Sequence, residues 1–131
     1  MVRAAGRAIV ALLGLVVGGA VVVLLREATM STHQPLPADS RVAVVVDVAT
    51  RNRERDQSQA EMVDALFTLC RLEVTSDLEG EIRELGPDRY LGILRPALDD
   101  TNRRQFRGCM EDWTLDGLTA DVRSLEDLPP P

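Results

Sequence analysis

The chain contains no lysine, one histidine and few aromatic residues (two Phe, one Trp, one Tyr), and each scarcity narrows what it can do. A catalytic imidazole needs a positioned orienting group, and a metal site needs several convergent ligands. His33 stands in a proline-flanked polar stretch and reads as a solvated linker residue. With no second histidine, Ser-His and Cys-His nucleophiles and the usual zinc sites are disfavoured. Two cysteines, Cys70 and Cys109, occur without any Cys-x-x-Cys pair, which argues against an oxidoreductase. All 15 basic residues are arginine, and Ala, Val, Leu and Asp abound where Ile and Asn are scarce. That balance points to the codons of a GC-rich bacterial genome.

What the chain has in quantity is one apolar run. Ala8 to Leu25 carries neither charge nor proline over 18 residues. As a helix it reaches roughly 27 Å, close to a hydrocarbon core of about 30 Å, and is expected to span a membrane once. Arg3, Arg7 and the amino terminus precede it, while Arg26 beside Glu27 follows, so residues 1–7 are expected in the cytoplasm and the rest outside. The competing reading is a cleaved secretory signal with Gly18 and Ala20 as the small-x-small site, but Val21 to Leu25 continues the apolar run beyond it. Both readings export the domain. Within the span, Gly14 and Gly18 form a Gly-x-x-x-Gly pair that lets a second membrane helix approach closely.

Beyond the span, the 15 arginines less Arg3, Arg7 and Arg26 leave 12 against 21 acidic residues, a formal charge of −9. Such a surface repels nucleic acid and anionic lipid headgroups, so nucleic acid is excluded as a partner. Both cysteines lie in this part, where an oxidising compartment lets a disulfide persist. A Cys70–Cys109 bridge is the simplest account, with free buried thiols as the rival. It would stabilise a small domain by roughly 4 kcal/mol.

Residues 26–39, with Pro35 and Pro37, read as an extended stalk, residues 40–127 as one α+β domain, and residues 128–131 as a proline tail. Arg41 to Val48 is apolar on both faces and is expected as a central strand. Ser58 three residues before Glu61 marks a capping box and the start of a helix with Met62, Val63, Leu66, Phe67 and Cys70 on its apolar face, ending near Arg71 to Val74. A hairpin follows, Gly80 to Leu85 and Tyr90 to Arg95 around Gly86-Pro87-Asp88-Arg89. Asp99 or Asp100 can cap a second helix whose buried stripe is Phe106, Cys109, Met110 and Trp113. Leu118, Ala120 and Val122 then alternate as a half-exposed strand near a sheet edge.

The order strand, helix, strand, strand, helix, strand is that of the split βαβ, or ferredoxin-like, arrangement, with both helices on one face of an antiparallel sheet. The cysteines fit it, each lying on the apolar side of a different helix. One tension is present: in antiparallel neighbours the late position of Cys70 should face the early part of the second helix, whereas Cys109 is not early.

No motif commits the chain to a reaction, and no cofactor or metal is implied. Asp99 and Asp100 are adjacent, and Asp47 and Asp77 fall near strand ends, so a carboxylate or divalent-cation site is conceivable, but capping accounts for the first pair. Arg103, Arg104 and Arg107 cluster on the polar side of the second helix and can clamp a partner's carboxylate or phosphate; the plainer reading is a solvated face with local pairs such as Arg107 with Glu111. On the face left bare by the helices, Ala43 and Val45 offer an apolar association surface. The expectation is a single-pass, non-catalytic interaction or assembly module of a cell envelope, with protein partners or self-association. The alternative is a small-ligand or cation-binding sensor or accessory domain of a membrane complex.

Overall fold

Four valines at every second position decide where the core lies. Val42, Val44, Val46 and Val48 of β1 (Arg41–Thr50) are all buried, while Ala43, Val45 and Asp47 between them are half-exposed. The computed structural model describes residues 14, 16–25, 36–51 and 56–131. They fall into two units, Met1–Gln34 and Pro35–Pro131.

In the first unit, position 14 and residues 16–25 are helical (α1) and exposed. Among the described residues no helix is long and apolar enough to cross a membrane. The tip at 1–7, most of the first half of the anticipated span, His33 and residues 26–35 of the stalk lie outside the described residues. Nothing lies within 4 Å of where a Cβ would stand on Gly14 or Gly18.

The second unit is α+β. After β1 come α2 (Gln59–Glu73), β2 (Asp77–Leu78), β3 (Arg83–Gly86), β4 (Arg89–Arg95), α3 (Asp100–Asp112) and β5 (Leu118–Leu128). The sheet is antiparallel, ordered β2-β4-β1-β5, with β3 also on β4. β1 is therefore central and β5 is an edge, as the sequence pattern predicts. The strand anticipated over Gly80 to Leu85 is instead confined to β3, Arg83–Gly86, and Asp77–Leu78 before it form the separate β2; the two border successive parts of β4. Gly80, at φ 74, sits in the break, where its left-handed backbone interrupts a strand that Asp77 and Leu78 had begun. Residues before β1 are tied down as well: Arg95 Nε donates to the Ala38 carbonyl at 3.1 Å, and the Ala97 amide to Ser40 Oγ at 3.0 Å.

The capping box forms as its spacing requires, the Glu61 amide donating to Ser58 Oγ at 3.2 Å and the Ser58 amide to the Glu61 carboxylate at 2.8 Å. Asp99 caps α3 by accepting the Asn102 amide at 2.7 Å. Both helices bury their stripes in one core with the β1 valines, Tyr90 and Leu94 of β4, and Leu118, Ala120 and Val122 of β5, so they cover the same sheet face. Trp113 departs from the expected stripe and is 47% exposed. The helix stops at Asp112, and Trp113 is an extended cap residue at φ −83, ψ 135, out of phase with the helical face.

Cys70 and Cys109 are bonded, Cα atoms 5.7 Å apart. Next to them the Phe67 and Phe106 rings pack with centroids 5.8 Å apart. Both pairings advance in the same direction along α2 and α3, which helices lying side by side in antiparallel register would not give. The contact falls late in both helices, so Cys109 meets Cys70 without lying early in α3.

Candidate functional site

Two surfaces gather the residues that the sequence marks as partner-facing. The first is the sheet face that α2 and α3 leave open. Ala43 pairs across the strands with Ile93, and Val45 with Leu91, making a four-residue apolar strip of half-exposed side chains. Leu91 and Ile93 were legible as the second apolar face of β4, whose residues 90–94 carry aliphatic or aromatic side chains at every position but Gly92. At one end of the strip, Asp47 receives Arg89 in a fork, Nε at 2.6 Å and Nη2 at 3.1 Å, and Arg123 Nε at 3.1 Å. The hydrogen bond from Arg89 holds the Asp47 carboxyl below its usual range, aided by the charges of Arg89 and Arg123, and raises Arg89 in turn. At the other end Glu79 lies between Arg41, at 3.1 Å, and Arg95, at 4.0 Å.

Arg123 reaches Asp47 because β5 bulges. Val45 pairs with Ser124 but Val46 with Val122, leaving Arg123 as the extra residue. The bulge also resets the alternation, so that Leu125 rather than Ser124 turns toward the core.

The second surface is a shallow groove of about 310 Å³ lined by Asp100, Arg103, Arg104, Arg107 and Leu125. It brings together the three arginines of α3, but they are not equivalent. Arg103 is spent inside the domain: Nε donates to the Leu98 carbonyl at 2.8 Å, Nη1 to the Leu125 carbonyl at 3.0 Å, and Nη2 to the Asp127 carboxylate. One helical stripe further on, Glu111 does not pair with Arg107; its carboxylate accepts the Val122 amide at 3.2 Å. Arg103 and Glu111 thus occupy polar groups of the edge strand β5, an attachment no sequence spacing reveals. Arg104 and Arg107 are exposed, and among the described residues Arg104 makes only a 3.4 Å contact to Thr101 Oγ1.

Three of the four carboxylates considered for chemistry are engaged, Asp47 with two arginines, Asp77 with Arg71 at 2.8 Å and Asp99 at the helix cap, while Asp100 is exposed in the first turn of α3. Among the described residues no group of three His, Cys, Asp or Glu is placed to hold a metal ion. The fold and these surfaces define an α+β domain with an open sheet face and a basic groove. Comparison with protein-family models, curated proteins and solved structures finds no match to this chain.

Proposed function

We propose that this chain is a membrane-anchored, non-catalytic interaction and assembly module of a bacterial cell envelope. The apolar segment Ala8 to Leu25 serves as anchor and holds the α+β domain outside the membrane. The strand order is read as the split βαβ, ferredoxin-like arrangement with its second strand in two pieces. The buried Cys70–Cys109 bond supports an oxidising compartment, because such bonds persist there and not in a reducing cytosol.

The observation that carries the reading is the strip of Ala43, Val45, Leu91 and Ile93 on the uncovered sheet face. The arginines at its two ends already hold Asp47 and Glu79, so they are not offered to lipid or nucleic-acid phosphates. What the face offers is a flat apolar surface between neutralised charges, which fits the apolar side chains of another protein.

Crosslinking in native membranes followed by mass spectrometry tests this, with wild type beside Val45→Arg. Wild type should crosslink to another envelope protein, and Val45→Arg should lose that product while melting at an unchanged temperature. Self-crosslinks alone would overturn hetero-assembly, and release of the intact chain by alkaline carbonate would overturn the anchor.

A further inference from the structure

We infer that the groove between α3 and β5 binds carboxylates of an acidic polypeptide segment, through the guanidinium groups of Arg104 and Arg107. This deepens the interaction reading and rests on it only in taking the ligand to be a protein. Arg41, Arg71, Arg89, Arg95, Arg103 and Arg123 each hold an acidic side chain within 4.0 Å. Among the described residues Arg104 and Arg107 hold none, as Arg51 and Arg83 also do not, but of these four only Arg104 and Arg107 share a groove. They stand three residues apart on one helix, which makes them surface neighbours, and both line the same cavity.

Two acidic side chains near them are committed elsewhere, and Asp100, four residues before Arg104, makes no ion pair with it. Glu111, four residues after Arg107, is bound to the Val122 amide, and Asp127 to Arg103. Two neighbouring guanidinium forks, unneutralised in a groove, favour an external anion.

The groove also selects among anions. Two guanidinium forks three residues apart are matched by two carboxylates carried on one peptide, which a single phosphate does not offer, while Asp100 in the lining and the acidic domain around it weaken the attraction for any anion. Leu125 supplies an apolar wall for the methylenes of a glutamate side chain. Arg103 already clasps one carboxylate at the rim of this groove, that of Asp127.

The test uses the full-length chain, with pentaglutamate, pentalysine and inorganic phosphate as probes, followed by calorimetry and by the arginine Nε–Hε resonances. Pentaglutamate should bind, shift the Arg104 and Arg107 resonances, and weaken as salt rises. The double variant Arg104→Gln, Arg107→Gln should lose affinity about tenfold or more. Arg83→Gln, an exposed arginine of β3 at the opposite edge of the sheet, should bind as wild type does. Unchanged melting temperatures show that the variants fold. Equal binding by all variants, no binding, or phosphate binding as tightly as pentaglutamate would each overturn the proposal. Failure here with the Val45-dependent crosslink intact would remove the groove and leave the open face standing.

Discussion

Phe67 lies hard against the bare backbone of Gly92: a Cβ built on Gly92 would stand 2.6 Å from the ring Cε1. The ring is fully buried and packs at a 57° tilt against Phe106, so moving it aside disturbs the core. Gly92→Ala should therefore destabilise the domain by about 1–3 kcal/mol, as overpacking does. Urea denaturation checks this, and Phe67→Leu in the same chain should recover part of the loss. An additive double variant would mean that the two positions do not meet.

Cys70 and Cys109 close a loop with a sequence separation of 39 residues. In the chain-entropy account, Cys70→Ser with Cys109→Ser costs roughly 4 kcal/mol. Because the bond is buried, a reductant should act on the native protein only through unfolding. Free thiol release should follow the unfolding rate as urea is added; rapid release without urea would contradict that.

Acid should loosen the domain through two named carboxyls. Asp47 is held below its ordinary range chiefly by the Arg89 hydrogen bond, and Glu61 chiefly by the Ser58 amide. Each folded value lies below the unfolded one, so the stability each supplies is complete above the unfolded range and lost as pH falls through the folded value, below about pH 4. Asp47→Asn and Glu61→Gln should flatten the acid limb of a stability-against-pH curve while lowering stability at neutral pH. An acid limb as steep as wild type's would reject this assignment.

Arg103→Met removes the donors to the Leu98 and Leu125 carbonyls and the tie to Asp127. Leaving part-buried carbonyls without partners should cost about 1–3 kcal/mol. It also uncovers polar groups on the outer edge of β5, so sedimentation should show stronger concentration-dependent association than wild type. Arg107→Met, which removes no such bond, should do neither.

Local signals carried much of the architecture. Ser58 with Glu61 marked where α2 begins, Asp99 or Asp100 where α3 begins, and the paired apolar faces of 41–48 marked β1 as central, because each depends on neighbours within a turn or on strand alternation. Where signals were local but the outcome was not, the reading slipped. Trp113 continued the spacing of Phe106, Cys109 and Met110, but the helix had ended one residue before it. The break between β2 and β3 depends on what β4 can pair with, which the residues 77–86 do not state.

The arginines of α3 show the same limit at the candidate site. Sequence grouped Arg103, Arg104 and Arg107 as equals, and paired Arg107 with Glu111, since helical spacing was the only geometry available. Placing β5 beside α3 gave Arg103 two carbonyls and an aspartate, gave Glu111 an amide, and left Arg104 and Arg107 facing the groove. By itself the sequence determined element types, caps, charge and the cysteine pair, all set by short-range chemistry. The tertiary structure alone decided which charges are spent and which are offered, because a side chain's partner across the chain is chosen by packing and a β-bulge, not by its place in the sequence.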